Sequence, residues 1–431
     1  MRTRPVTAKP LTTSSPHPRP SLPGTGPIIV ALGGNDSSGV LRAAELFEST
    51  SVGGMLAVSV LEPLTGYYSG EVSSTLSWEL ERGRAEARLA GLRKEIGATA
   101  HGAAWQAEVV QGDPSYELTA LARTRRAPLI VMGIGRRRPI DRLLGFDTAT
   151  RTVRRASCPV LVVNATVKVP FHEAVVASDF SMASVRAAGA IIPLMGSDSV
   201  LHLVHVWDPS MVDDAHLNAL NNAYIDSLPE KFARLEELLA VPAGVTVKHE
   251  IREGKVAERL LDFAEAHHAD VIVAGRHGLG AMERLFVGSV TTTLLHGASC
   301  SLLIAPEPTF AERDRILRRM TGTSESRAPS EWATQLEVFT QRNFGRRTTV
   351  QIDDVALGAQ VLESGYPLQG GAYDHHDHRV ELMLGDGATQ HVTRTIAGVD
   401  SVAVYTDRHG RDAALMIAHG SGQTVLTFLP V

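Results

Sequence analysis

The chain carries two versions of one segment. RRASCPVLVV, ending at Val163, and HGASCSLLIA, ending at Ala305, set Cys158 and Cys300 at the head of matching apolar runs. With the same shift, PLIVMGIG from Pro128 matches DVIVAGRH from Asp270, and DRLLGF from Asp141 matches ERLFVG from Glu283. Upstream, IIVALGGNDSSGVLRAA matches AVVASDFSMASVRAA across a small gap. A duplication of this length constrains the fold strongly, because an architecture that suits one copy must suit the other.

Within the second copy, EAVVAS, VLHLVHVW, VTVKHEI, DVIVAG and SLLIAP read as strands. Helical spacing falls between them, in MASVRAAGAII, around LPEKFARLEELLA, in KVAERLLDFAEAH and from SVTTTLL onward. The central strands are unbroken apolar runs, the pattern of strands buried on both faces. Strands alternating with helices predict an α/β domain with a five-stranded parallel sheet and right-handed crossovers, present twice in tandem. Ligands of such sheets bind beyond the carboxyl ends of the strands, where strand order reverses.

The remaining sequence divides around this pair. Residues 1–26, rich in Pro, Ser, Thr and Arg, read as a disordered tail without the apolar centre of a secretory signal. Copy one is expected over 27–166 and copy two over 170–308, with a charged helix and flexible linker over 309–329. From 330 to 431 the composition changes: EWATQLEVFTQRNFG reads as an amphipathic helix. TTVQIDDV, RVELMLG, HVTRTIAG, SVAVYTD, AALMIAH and QTVLTFLP read as short strands, predicting a small β-rich or α+β domain.

Net charge is −5 and aromatics make up 5% of residues, so no basic, aromatic-laced surface is expected to draw nucleic acid. No apolar run approaches the roughly 20 residues that span a bilayer. Two cysteines make no disulfide framework; they read as small buried hydrophobes of a cytoplasmic protein.

GRHGLGAMERLFVGS, Gly275 to Ser289, follows the strand DVIVAG and opens a helix. Glycine lets backbone approach a ligand closely, and a helix start offers unpaired N–H groups and partial positive charge, which together cradle phosphate. The spacing G-x2-G-x9-G-[ST] resembles the ATP-binding signature of the universal stress protein family. The resemblance extends to ASDFS, LHLVHVWD and GASCSLLIAP, and each copy is similar to one domain of that family. It implies a Rossmann-like, adenine-nucleotide alpha hydrolase-like fold. It also implies that Asp179 meets the base or ribose and that Val206 touches adenine through its backbone. Gly275 and Gly278 would line the nucleotide; Gly288, Ser289 and Val290 would hold phosphates. Mg²⁺ would accompany ATP to neutralise phosphate charge, with no residue here identifying its ligands. The family's domains pair through terminal strands, so PVLVV and SLLIA could pair within one chain, or chains could join as a homodimer.

The first copy departs from the signature. Gly133 is retained, but Arg136 stands at the place of Gly278, Phe146 at that of Gly288, Asp147 at that of Ser289, and Asn35 replaces the aspartate. Bulk bars close backbone approach, and an aspartate at a helix start fills the anion position with its own charge. This copy is expected not to bind ATP in the family's manner. GGNDSS at 33–38 resembles the pyrophosphate loop of ATP pyrophosphatases but lacks the leading serine, which is Leu32 here. The cluster Arg136, Arg137, Arg138 and Arg142 reads as a solvated face before an acidic-ligand site. DHHDH, Asp374–His378, reads as a polar turn before a metal site, since successive strand residues point to opposite faces.

No nucleophile elbow, Walker loop or zinc motif occurs, and no catalytic residue is assigned. The expectation is an ATP-binding stress protein whose second domain holds nucleotide and regulates interactions with a protein partner the sequence does not name. A nucleotide-independent scaffold and a slow ATPase or nucleotidyl-transfer enzyme are the alternatives.

Overall fold

The computed structural model describes residues 25–33, 37–48, 51–63, 74–99, 102–134, 148–164, 166–207, 217–276, 289–306, 312, 323–354, 358–386, 391–407, 410–420 and 422–428. The first copy runs β1 (Ile28–Ala31), α1 (Ser38–Glu45), β2 (Met55–Leu61), α2 (Ser74–Gly97), β3 (Gln106–Gln111), α3 (Pro114–Arg125), β4 (Ile130–Gly133), α4 (Thr148–Arg155) and β5 (Val160–Val163). The second repeats this order: β6 (Phe171–Ala177), α5 (Met182–Ile191), β7 (Met195–Trp207), α6 (Leu217–Leu239), β8 (Val245–Glu253), α7 (Val256–Ala266), β9 (Val271–Gly275), α8 (Ser289–Gly297) and β10 (Ser301–Ala305).

The described strands of both copies form one ten-stranded sheet in the order β3-β2-β1-β4-β5-β10-β9-β6-β7-β8. Each half has the same internal order and is parallel throughout, as the alternating pattern predicts. The halves meet where β5 and β10 pair antiparallel, Val162 opposite Leu302, Leu161 opposite Leu303 and Val160 opposite Ile304. The pairing of PVLVV with SLLIA within one chain is therefore present, and it occupies the edges that a homodimer through these strands would use.

Burial follows position. β1, β5, β9 and β10 sit inside the sheet and are almost wholly apolar, and β6 beside them is apolar after His172 and Glu173. The outer strand VTVKHEIRE carries charges along its length, and the outer strand QAEVVQ is polar at both ends and carries Glu108, which discourages further edge pairing. One apolar layer packs α1, α2, α5 and α6 on one face; the other packs α3, α4, α7 and α8 on the opposite face. Both layers run through both repeats. The copies agree even in turns: Gly112 and Gly254, which follow the third strand of each repeat at positive φ of 146° and 122°, donate their N–H to Leu61 O and Trp207 O, the last residues of the second strands.

The C-terminal region is a second, antiparallel sheet. It comprises β11 (Thr323–Ser326), β12 (Arg347–Asp354), β13 (Gly358–Asp374), β14 (Arg379–Gly385), β15 (His391–Ala397), β16 (Val399–Thr406), β17 (Asp412–His419) and β18 (Gly422–Phe428). Their order is β11-β16-β17-β18-β12-β13-β14-β15. The helix α9 (Trp332–Asn343) buries Trp332, Leu336 and Phe339 against one face. Two strands depart from the sequence reading. β11 lies inside TGTSESRAPS, read as linker, and pairs with β16. β13 spans a stretch to which the sequence pattern assigns no element; it pairs first with β12 and then with β14, and Gly365 takes a positive φ of 84° along the way.

No helix among the described residues is long and apolar enough to cross a membrane.

Candidate functional site

The strand order puts the reversal of the second repeat between β6 and β9, whose following helices pack on opposite faces of the sheet. In open α/β sheets, ligands bind above the carboxyl ends at such a reversal. Asp179 lies two residues beyond β6, and Gly275 is the last residue of β9. The two lie on either side of the reversal, with Val206 near the end of β7 on the far side of β6.

Local chemistry holds Asp179 in place. Its Oδ1 accepts the Ser181 N–H at 3.0 Å, and Ser181 caps α5 by accepting the Ser184 N–H at 3.2 Å. Phe180, between them, takes a left-handed φ of 61°, a conformation uncommon for a bulky residue. Its ring packs 5.0 Å from His205 and 5.0 Å from Phe232, which anchors the turn from the α6 side.

His205 is buried on β7, and its Nδ1 lies 2.8 Å from Ser178 O. A carbonyl only accepts, so Nδ1 carries the hydrogen. Burial pushes the His205 pKa down and favours the neutral ring; the Ser178 hydrogen bond and the Asp179 charge pull the other way, while Lys231 adds to the lowering. Lys231, on α6, is itself lowered mainly by burial. Asp179, His205 and Lys231 therefore bring a carboxylate, a neutral imidazole and a cation within electrostatic reach.

On the other wall, Thr291 in the first turn of α8 donates its hydroxyl to Gly275 O at 3.0 Å and to Arg276 O at 3.2 Å. Val290 packs partly buried beside it. The backbone of Ser289 opens α8. Gly278 and Gly288 lie outside the described residues. The structure thus brings Asp179, Gly275 and the start of α8 to one end of the sheet.

The first repeat differs at the corresponding place. Gly133 ends β4, where an added Cβ would meet Val40 Cγ2 at 3.3 Å. Asn35, Arg136, Arg137, Arg138, Arg142, Phe146 and Asp147 lie outside the described residues. Arg88 of α2 adds an observation of its own. Its Nη2 donates to Leu32 O at 3.0 Å, its Nε to Ser59 Oγ at 2.8 Å, and its Nη1 to Glu95 Oε1 at 2.6 Å. Leu32 and Ser178 are equivalent, since each donates its N–H to the matching carbonyl, Val58 O and Val204 O. That makes Ser59 the counterpart of His205. In the second repeat the first-strand carbonyl is met by a histidine; in the first it is covered by an arginine guanidinium.

Sequence reading missed His205, Lys231 and Arg88. His205 stood in a quoted strand, but nothing in one-dimensional order marks its partner Ser178. Arg88 reaches residues 56 and 29 positions away.

Elsewhere, Asp374–His378 forms the turn between β13 and β14. Asp374 Oδ1 accepts the His376 N–H at 2.9 Å, and Arg379 pairs with Asp374 at 3.3 Å and Asp377 at 3.1 Å. Among the described residues no group of three or more His, Cys, Asp or Glu is placed to hold a metal. Burial pushes Cys158 up to about 12 and Cys300 up to about 11, so both thiols stay protonated.

A family model matches both copies separately. The model of the universal stress protein family matches residues 25–164 and again 170–306. These matches span more than half of the chain, which belongs to the universal stress protein family. Residues 324–429 match a family of unknown function, DUF5335. A universal stress protein of Mycolicibacterium smegmatis is 29% identical over 143 residues, 33% of this chain and 46% of the relative. Universal stress protein Rv2005c of Mycobacterium tuberculosis is 27% identical over 239 residues, 53% of this chain and 78% of the relative. The match thus spans less than half of the first relative's length and over three quarters of the second's. A solved universal stress protein from Archaeoglobus fulgidus is 18% identical, with a TM-score of 0.45, and the match covers 66% of this chain and 97% of that one.

Proposed function

We propose that the second repeat binds one adenine nucleotide, ATP accompanied by Mg²⁺, and that the first repeat binds none. The observation that carries this is the placement of Asp179 and Gly275 across the β6/β9 reversal, with α8 opening after the G-x2-G-x9-G-[ST] spacing. A carboxylate there suits ribose hydroxyls or a base amine as acceptor, and the α8 start suits phosphate. Asp179, Val206, Gly275, Gly278, Gly288, Ser289 and Val290 would hold the nucleotide, with Mg²⁺ arriving on the phosphates. His205, kept neutral, would support the Asp179 wall without adding charge. In the first repeat, the Arg88 guanidinium over Leu32 O and Ser59 supports a closed position.

The role proposed is binding that biases interactions with a partner under stress, in a cytoplasmic setting compatible with two protonated cysteines. The test is the nucleotide content of the purified chain beside Asp179→Ala and Gly278→Arg. Adenine nucleotide in the wild type and its loss in both variants is the expected result. Equal content in all three would overturn the assignment, and release of ADP that disappears in Gly278→Arg would favour a slow ATPase.

A further inference from the structure

The residue after Gly275 crosses the boundary between repeats. Arg276 Nη1 donates to Arg154 O at 3.1 Å and to Ala156 O at 3.0 Å, at the carboxyl end of α4 in the first repeat. These are carbonyls at a helix terminus, where a cation is favoured. The same residue is fixed in its own repeat: its N–H donates to Ala305 O at 2.7 Å, and its carbonyl accepts from Thr291 Oγ1 on α8. Arg276 therefore ties β9, β10 and α8 of the second repeat to α4 of the first.

The duplication supplies an internal control. The counterpart of Arg276 is Ile134, whose N–H makes the same backbone bond, to Val163 O at 3.1 Å, but whose side chain packs in the apolar layer and donates nothing. Ala149 takes the place of Thr291. A reverse tie runs from Asn164 Nδ2 to Ser299 O at 2.7 Å, and its counterpart, Pro306, has no side-chain donor. Two identical domains meeting at a two-fold axis would show each tie twice. Here each occurs in one direction, and the Arg276 tie starts beside the candidate site.

We propose that Arg276 is a positioning residue that couples occupancy of the second repeat to helix α4 of the first. This rests on the nucleotide reading above. Because Gly275 and Arg276 are adjacent and share Thr291 as a donor, a ligand that orders Gly275 also orders the Arg276 guanidinium on α4. Coupling of binding free energies is reciprocal, so loosening α4 must weaken ligand binding by the same factor. Arg151 provides the lever: it pairs with Asp113 at the start of α3 and so ties α4 to α3.

The experiment is amide hydrogen exchange over residues 148–155, with and without MgATP, in the full chain, with the ATP dissociation constant measured in parallel. Wild type is expected to gain protection there on binding. Arg276→Ile, which copies the first repeat, should still bind one ATP, roughly three- to thirtyfold more weakly, and show no gain in α4. Arg276→Lys, which keeps a donor, should recover part of the gain. Arg151→Ala should weaken ATP binding in the wild type but not beside Arg276→Ile. Bound ATP without protection of 148–155, or the same gain in Arg276→Ile, overturns the coupling while leaving the site intact. Failure of ATP to bind wild type overturns the functional reading and the coupling to ligand together. The ligand-free tie is then judged on its own: faster exchange of 148–155 in Arg276→Ile supports it, and unchanged exchange overturns it.

Discussion

Leu161 and Leu303 hold the same place in the two repeats and face each other in the sheet. Antiparallel pairing of equivalent strands puts a pseudo-two-fold axis through the equivalent pair, and both side chains are fully buried. The joint between repeats is therefore as much core as joint. Leu161→Ala and Leu303→Ala should each cost about 2–5 kcal/mol, and the double variant should differ from the sum, because the residues are in contact. Urea unfolding of the four chains measures this. Losses near zero would mean the joint contributes little to folding.

Arg88 makes a different kind of prediction. Removing the guanidinium leaves Leu32 O and Ser59 Oγ without that donor, and strands Glu95, whose buried Oε2 has no hydrogen-bond partner among the described residues. Arg88→Ala should destabilise the chain by about 1.5–3 kcal/mol, the range for hydrogen bonds to charged groups. Arg88→Lys should recover little, since one ammonium cannot reproduce the fork of three partners. ATP stoichiometry should stay the same, because the first repeat also departs from the signature at Arg136, Phe146 and Asp147. A second bound nucleotide in Arg88→Ala would show that this arginine alone closes the first repeat.

Burial of two histidines gives a pH dependence with a definite sign. His202 and His205 are both lowered from the ordinary 6.5, burial being the largest cause in each; Glu173, 2.9 Å from His202 Nε2, opposes it only in part. Below 6.5 the unfolded chain takes up protons that the folded rings resist. Stability is therefore complete above that pH and falls as the solution is acidified. Urea midpoints between pH 7.5 and 5.5 should drop, and His205→Asn, which keeps a donor near Nδ1, should flatten part of the slope. A slope unchanged in His205→Asn and in His202→Gln would assign the dependence to other groups.

The parts legible in sequence share a physical cause. VLVV, VIVAG and SLLIA have no polar face to offer solvent, so burial on both sides is the arrangement open to them, and the repeat fixes their number. β13 was illegible because GAQVLESGYPLQGGAYD mixes glycines and a proline into a strand that changes partners midway. TSES of β11 carries no apolar signal at all; its pairing with β16 supplies the order. For the site, spacing singles out Gly275 and Ser289, whose proposed roles rest largely on the backbone. Arg88, His205 and Arg276 act on carbonyls that tertiary structure brings to them, and a carbonyl leaves no mark in sequence. Of the signature glycines, Gly278 and Gly288 fall outside the described residues, so the motif rather than the geometry speaks for them.

The measurement closest to the central claim is an ATP titration of the purified, nucleotide-stripped chain in Mg²⁺, with Gly278→Arg beside it. That variant imposes on the second repeat the residue found at Arg136 in the first. The account predicts one ATP per chain, abolished by the substitution. Two per chain would contradict the closed first repeat, and no binding to wild type would contradict the nucleotide site itself.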